Sequence, residues 1–95
     1  MENTVAALLT EHGLTLAVAE SCTGGLLSKR LTDIPGASGF FMGGVVTYST
    51  QSKTALLGVD PDMINKKGVV SSEVALAMAD GARFKVGADI GIGIT

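Results

Sequence analysis

Val5, Leu8, Leu9 and His12 recur at helical spacing behind Asn3 and Thr4, residue types that cap helices, and Gly13 follows as a stop signal. The pattern predicts a first helix over about Thr4 to His12. Leu14 to Ala19 is short, rich in β-formers and soon followed by glycine, which predicts a buried strand ending at a corner at Ser21. Leu26, Leu27 and Leu31 then alternate with Lys29 and Arg30, a second helix with Thr23 or Ser21 as its cap. It ends before Ile34-Pro35-Gly36, because proline disfavours helix at the residue before it and Pro-Gly favours a turn.

Phe40-Phe41-Met42 and Val45-Val46-Thr47-Tyr48 bracket Gly43-Gly44, which suits two strands or one strand bent at the glycines. A short helix from Ser49 carries Lys53, Leu56 and Leu57 to Gly58. Asp60 caps another, with Pro61 at its first position and Gly68 at its close. Ser71 or Ser72 caps a longer helix with Glu73 in its first turn, and Val74, Met78 and Ala82 mark one face beside Ala77 and Gly81. Ala88 to Thr95 reads as a strand with isoleucine and glycine alternating. One side is greasy, and the other is bare backbone that lets something approach closely. Alternating helices and strands predict an α/β fold, layered α/β/α around a mixed sheet, with no repeat, linker or low-complexity stretch.

Composition narrows the picture. A chain of 95 residues makes at most one domain, and 7 Lys+Arg against 9 Asp+Glu leave a net charge of −2, no footprint for nucleic acid or an anionic membrane. Apolar residues reach 46% while aromatics supply only 4%, so the core must come from small side chains and close backbone packing. A chain of this length buries roughly two-thirds of its unfolded surface, so association into a homo-oligomer, or further segments, is expected. No apolar run is long enough to span a bilayer and the N-terminus lacks a secretory pattern, so a soluble cytoplasmic protein is the expectation. Cys22 and His12 are each the sole residue of their type, so neither an internal disulfide nor a metal cluster is expected, and no cofactor is implied.

Candidate chemistry gathers at Ala19-Glu20-Ser21-Cys22-Thr23-Gly24-Gly25. A small nucleophilic side chain at a strand-to-helix corner sits beside unpaired backbone N–H groups able to hold an anion or oxyanion. Ser21 also reads as a plain helix cap. Cys22 is the rival nucleophile, since a helix N-terminus lowers a thiol's pKa, although free cysteines are often small buried hydrophobes. Thr23, Gly24 and Gly25 alternatively cradle a phosphate. His12 reads as a favourable cation at a helix C-terminus, and Arg30, Arg83 and Lys85 as solvated helix faces.

Three blocks, Ala19 to Gly25, Gly44-Val45-Val46-Thr47-Tyr48-Ser49 with Lys53, and Gly68-Val69-Val70-Ser71 ahead of a helix containing Ala77-Met78-Ala79, closely resemble the CinA C-terminal family, the nicotinamide-nucleotide amidohydrolases also called PncC. The resemblance runs from about Val5 to Thr95. It implies deamidation of nicotinamide mononucleotide to nicotinic acid mononucleotide and ammonia, with Ser21 as nucleophile and Tyr48 and Lys53 assisting. It places a pyridine nucleotide against Cys22, Thr23, Gly24, Gly25, Gly44 and Ser71, and it needs no metal. The alternative is a non-catalytic nucleotide-binding or regulatory module that holds phosphate at the Ser21 corner.

Two departures accompany the resemblance. Where the family has Ser-Glu after Gly-x-Val, this chain reads Ser71-Ser72-Glu73. The family also continues beyond the Thr95 position, so this chain is expected to be the front portion of a longer domain, incomplete at its C-terminus. With no histidine near a triad position, the base falls to Lys53, since a lysine whose pKa is lowered by burial can accept the serine proton as a neutral amine. Lys53 on a short helix also reads as a solvated surface lysine, and Tyr48 as a strand residue packing its ring.

Overall fold

Strand β1 (Leu16–Glu20) is buried along its whole length, because it lies between both other strands of the sheet and under helices on both faces. In the computed structural model, which describes Met1 to Thr95, the chain runs α1 (Glu2–His12), β1, α2 (Leu26–Thr32), a 3-10 turn (Ala37–Gly39), β2 (Phe41–Val46), α3 (Thr50–Leu57), α4 (Pro61–Lys67), α5 (Ser72–Val86) and β3 (Ile90–Ile94). The layered α/β/α arrangement is the one expected. The sheet, expected to be mixed, consists of three parallel strands in the order β2-β1-β3. Each strand-to-strand connection contains helix, which returns the chain to the end of the sheet where it started.

Alternation along β1 divides the core. Leu16 and Val18 face α1 and α2 and pack with Leu9, Leu31 and Phe40. Ala17 and Ala19 face α3, α4 and α5 and pack with Leu57, Val74 and Met78. Val18, Val74 and Met78 have no exposed surface, and each such aliphatic side chain contributes about 1.5–3 kcal/mol by burial.

The glycines of β3 explain the scarcity of large side chains. Gly91 and Gly93 lie on the Ala17–Ala19 face, and there the backbone of α5 rests directly on the strand. A Cβ at Gly91 would stand 2.2 Å from the Ala79 carbonyl oxygen, and one at Gly93 2.1 Å from that of Ala75. What approaches the bare face is thus the protein's own helix. Gly81 does the same between α5 and α3, where a Cβ would meet the Leu57 carbonyl at 2.3 Å.

Caps fall largely where the residue types predict. Ser49 accepts from the Ser52 N–H at 3.0 Å, Asp60 from Asp62 at 2.9 Å and Ser71 from Val74 at 3.2 Å. Phe41 to Val46 forms one strand and ends before Thr47, although the Thr47 N–H still donates to the Glu20 carbonyl at 2.8 Å. No helix is long and apolar enough to cross a membrane.

Candidate active site

The corner after β1 is organised by Glu20. Sequence pattern pointed to Thr23 or Ser21 as the cap of α2, and neither takes that role. Gly25 holds the N-cap position without a side-chain bond, and the Glu20 carboxylate reaches over to accept the N–H groups of Leu27 at 3.0 Å and Ser28 at 2.9 Å. The hydroxyls of Ser28 and Thr23 donate to it as well, each at 2.7 Å. Burial pushes the Glu20 carboxyl up, but the bonds from Thr23, Ser28 and Leu27 outweigh it and hold the group at about 2. A carboxylate longer than a serine side chain bridges the Gly24-Gly25 turn, where φ is 62° and 103°, and this frees the Ser21 hydroxyl from capping.

Ser21 follows Glu20 and therefore points to the opposite face of the sheet, toward α3. Lys53 comes from that helix. Both are buried, with Ser21 8% and Lys53 1% exposed, so Lys53 is not a solvated surface lysine. The Lys53 Nζ donates to Ser21 Oγ at 3.0 Å and to the Thr47 carbonyl oxygen at 2.7 Å. None of the ion pairs in the protein involves Lys53. Burial pushes its amine below the ordinary lysine value, opposed in part by the electrostatic influence of neighbouring Cys22. A neutral amine carries two N–H groups and one lone pair. With one N–H held by the Thr47 carbonyl, the lone pair is free to take the Ser21 proton.

The pair opens into a cleft of about 420 Å³, bordered among others by Cys22, Tyr48, Val69 and Thr95. Tyr48 stands at its rim, 76% exposed, and its hydroxyl bonds to neither Ser21 nor Lys53. Cys22 is exposed beside Ser21, and its Sγ contacts the Thr95 carbonyl at 3.7 Å. Thr95 Oγ1 donates to the Val69 carbonyl at 2.7 Å. The Gly24 N–H is engaged by the Ser21 carbonyl at 3.0 Å, while the N–H groups of Cys22, Thr23 and Gly25 have no partner within the chain.

Of the residues expected to bind substrate, Cys22 lines the cleft; Thr23, Gly24 and Gly25 form the turn into α2 and are not among its lining residues, and Gly44 and Ser71 lie elsewhere. Gly44 sits under α2, where a Cβ would come 2.4 Å from Ser28 Oγ, so its lack of a side chain serves packing. Ser71 caps α5 and donates its hydroxyl to the Gly68 carbonyl at 2.8 Å, outside the residues that line the cleft. Sequence reasoning passed over Glu20, Thr47 and Thr95. For Glu20 a signal existed: a charged residue closing an apolar strand just before a glycine-rich turn.

The whole chain, residues 1–95, matches the family model described as CinA C-terminal domain. The CinA-like proteins of Geotalea uraniireducens and Chlorobaculum tepidum are 55% and 57% identical to it over all 95 residues. The chain spans only 23% and 22% of their lengths. Among solved structures, a CinA superfamily protein of Escherichia coli superposes with a TM-score of 0.91 at 34% identity, covering 93% of this chain and 51% of that one. The competence/damage inducible protein CihA of Agrobacterium tumefaciens gives 0.88 at 39% identity, covering 93% and 53%. With a family match from the first residue to the last, close relatives in sequence, and the same arrangement of helices around a parallel sheet, the chain belongs to the CinA C-terminal domain family.

Proposed function

We propose that this chain carries the nucleophile and base of a serine amidohydrolase that converts nicotinamide mononucleotide and water to nicotinic acid mononucleotide and ammonia. The observation that carries this reading is the buried 3.0 Å contact between Lys53 Nζ and Ser21 Oγ at the floor of a cleft. An amide is a poor electrophile with a poor leaving group, so its hydrolysis requires an activated nucleophile and a proton for the departing nitrogen.

Neutral Lys53 removes the Ser21 hydroxyl proton as Ser21 Oγ bonds to the carboxamide carbon, and the carbonyl π pair moves onto oxygen. The unpartnered N–H of Cys22, at the edge of the cleft, is suited to receive that oxyanion. Collapse of the tetrahedral species breaks the C–N bond, and the Lys53 ammonium returns its proton to the nitrogen, which leaves as ammonia. Water then attacks the acyl-Ser21 ester while Lys53 takes its proton. Lys53 gives that proton back to Ser21 Oγ as the acid leaves. Exposure of Tyr48 at the rim, without a bond to the pair, supports assigning it to substrate contact rather than to proton relay.

The phosphate-holding alternative is less well supported, because Glu20 already occupies the first amides of α2 and would repel an anion there. Ammonia release from nicotinamide mononucleotide tests the reading. Ser21→Ala should abolish it, and full turnover by that variant would reject Ser21 as nucleophile.

A further inference from the structure

Thr47 has no exposed surface, and its Oγ1 is the one buried side-chain polar atom in the protein without a hydrogen-bond partner. The rest of the residue is fully engaged: its N–H donates to the Glu20 carbonyl at 2.8 Å, and its carbonyl accepts from Lys53 Nζ at 2.7 Å. Buried hydroxyls almost always find partners, and an orphaned one is destabilising, so it calls for a role. Thr47 follows Val46, whose side chain a Cβ at Gly25 would meet at 3.5 Å on the α2 side, and because the Thr47 N–H continues the pairing with β1 at Glu20, alternation turns the Thr47 side chain to the face shared by Ser21 and Lys53.

Counting protons on Lys53 identifies that role. The neutral amine has two N–H groups, and the ammonium has three. When Lys53 takes the serine proton, the Thr47 carbonyl and the serine oxygen satisfy two of them, and the third arrives in a buried site with no carboxylate to receive it.

We infer that Thr47 is a positioning residue whose hydroxyl oxygen accepts this additional N–H, so that the charged form of Lys53 is held by both oxygens of one residue. The inference rests on the assignment of Lys53 as the base. Nζ stands at the end of a flexible four-carbon arm, whereas the backbone of Thr47 is pinned to β1, so the amine is the partner that adjusts between the two acceptors. Few other groups compete at this position. The corner after β1 presents the Cys22 thiol and the loop after β2 presents Tyr48, while α4 and α5 meet α3 with Ile64, Val74, Met78 and Gly81.

Titration of Lys53 by carbon-13 NMR in the lysine-labelled chain, with its resonance assigned from Lys53→Met, tests this without requiring turnover. Thr47→Val should lower the pH at which Lys53 titrates by about one unit, because the ammonium loses an acceptor that the amine does not need. Thr47→Ser should restore the parent value. Thr47→Ala removes the same hydroxyl with less bulk and should match Thr47→Val, which covers the case in which valine does not fold. Identical titration of Lys53 in the parent and in the variants lacking the hydroxyl would overturn the inference, as would a Thr47→Ser chain that behaves like the valine variant. Failure of the underlying assignment reads differently, as a Lys53 that titrates at the ordinary lysine pH in the parent itself.

Discussion

Glu20 and Ser28 meet across the corner between β1 and α2, and the carboxylate accepts both the amide N–H of Ser28 at 2.9 Å and its hydroxyl at 2.7 Å. The bond joins a strand end to the first turn of a helix through a group with no exposed surface. It fixes the position of the Ser21 corner without using the Ser21 hydroxyl.

The carboxyl of Glu20 lies at about 2 in the folded protein against an ordinary value of 4.5. A depressed folded value means that its contribution is present above pH 4.5 and lost as the pH falls toward 2. The expected loss across that window is about 3 kcal/mol. Urea unfolding at a series of pH values should show this slope, and Glu20→Gln should flatten it while lowering stability at neutral pH.

Close packing of α5 on β3 predicts an asymmetry among glycines. Gly93→Ala places a methyl against the Ala75 carbonyl and should destabilise by about 3 kcal/mol. At Gly39 a methyl would meet no heavy atom within 4 Å and φ is not positive, so Gly39→Ala should be neutral or slightly stabilising. Thermal unfolding of the two variants side by side checks the contrast.

Lys53 is buried without an ion-pair partner, so its charge does not stabilise the fold. Lys53→Met keeps the length of the side chain and removes the amine. Stability should be unchanged or higher, while the rate of amide hydrolysis should fall roughly a hundredfold or more. Parallel fall of melting temperature and rate would instead mark Lys53 as structural.

Tyr48 stands on the cleft rim without a bond to the Ser21–Lys53 pair. Tyr48→Phe should therefore act on KM rather than on kcat, by less than about tenfold. A loss confined to kcat would instead favour the assisting role that the family resemblance implies for Tyr48.

Much of the architecture was legible because each element carries its own punctuation. Gly13, Gly58 and Gly87 sit in left-handed conformations at helix ends, and Ser49, Asp60 and Ser71 accept the first amides of their helices. The parallel sheet was harder to foresee, since strand direction depends on how the helical connections pack rather than on any strand's own pattern. At the site, the strand-to-helix corner points to Ser21 and the resemblance adds Lys53, and the structure brings the two into contact. Gly44 shows the limit of that approach: its missing side chain is required by Ser28 of α2, a long-range contact that no local pattern records. Glu20 was hidden for a related reason, since its partners lie seven and eight residues ahead on a helix for which local pattern indicated a different cap.

Activation of the Ser21 hydroxyl by Lys53, whose amine burial pushes below the ordinary lysine value, underlies the proposed chemistry. Labelling of the chain with a serine-directed fluorophosphonate, followed by mass spectrometry as a function of pH, measures that activation directly, since Ser21 Oγ must displace fluoride to be labelled. Modification is expected at Ser21, with a rate that rises as Lys53 loses its proton below the ordinary lysine range and that collapses in Lys53→Met. Labelling of Ser21 at the same rate in Lys53→Met as in the parent would show that the amine does not activate the hydroxyl.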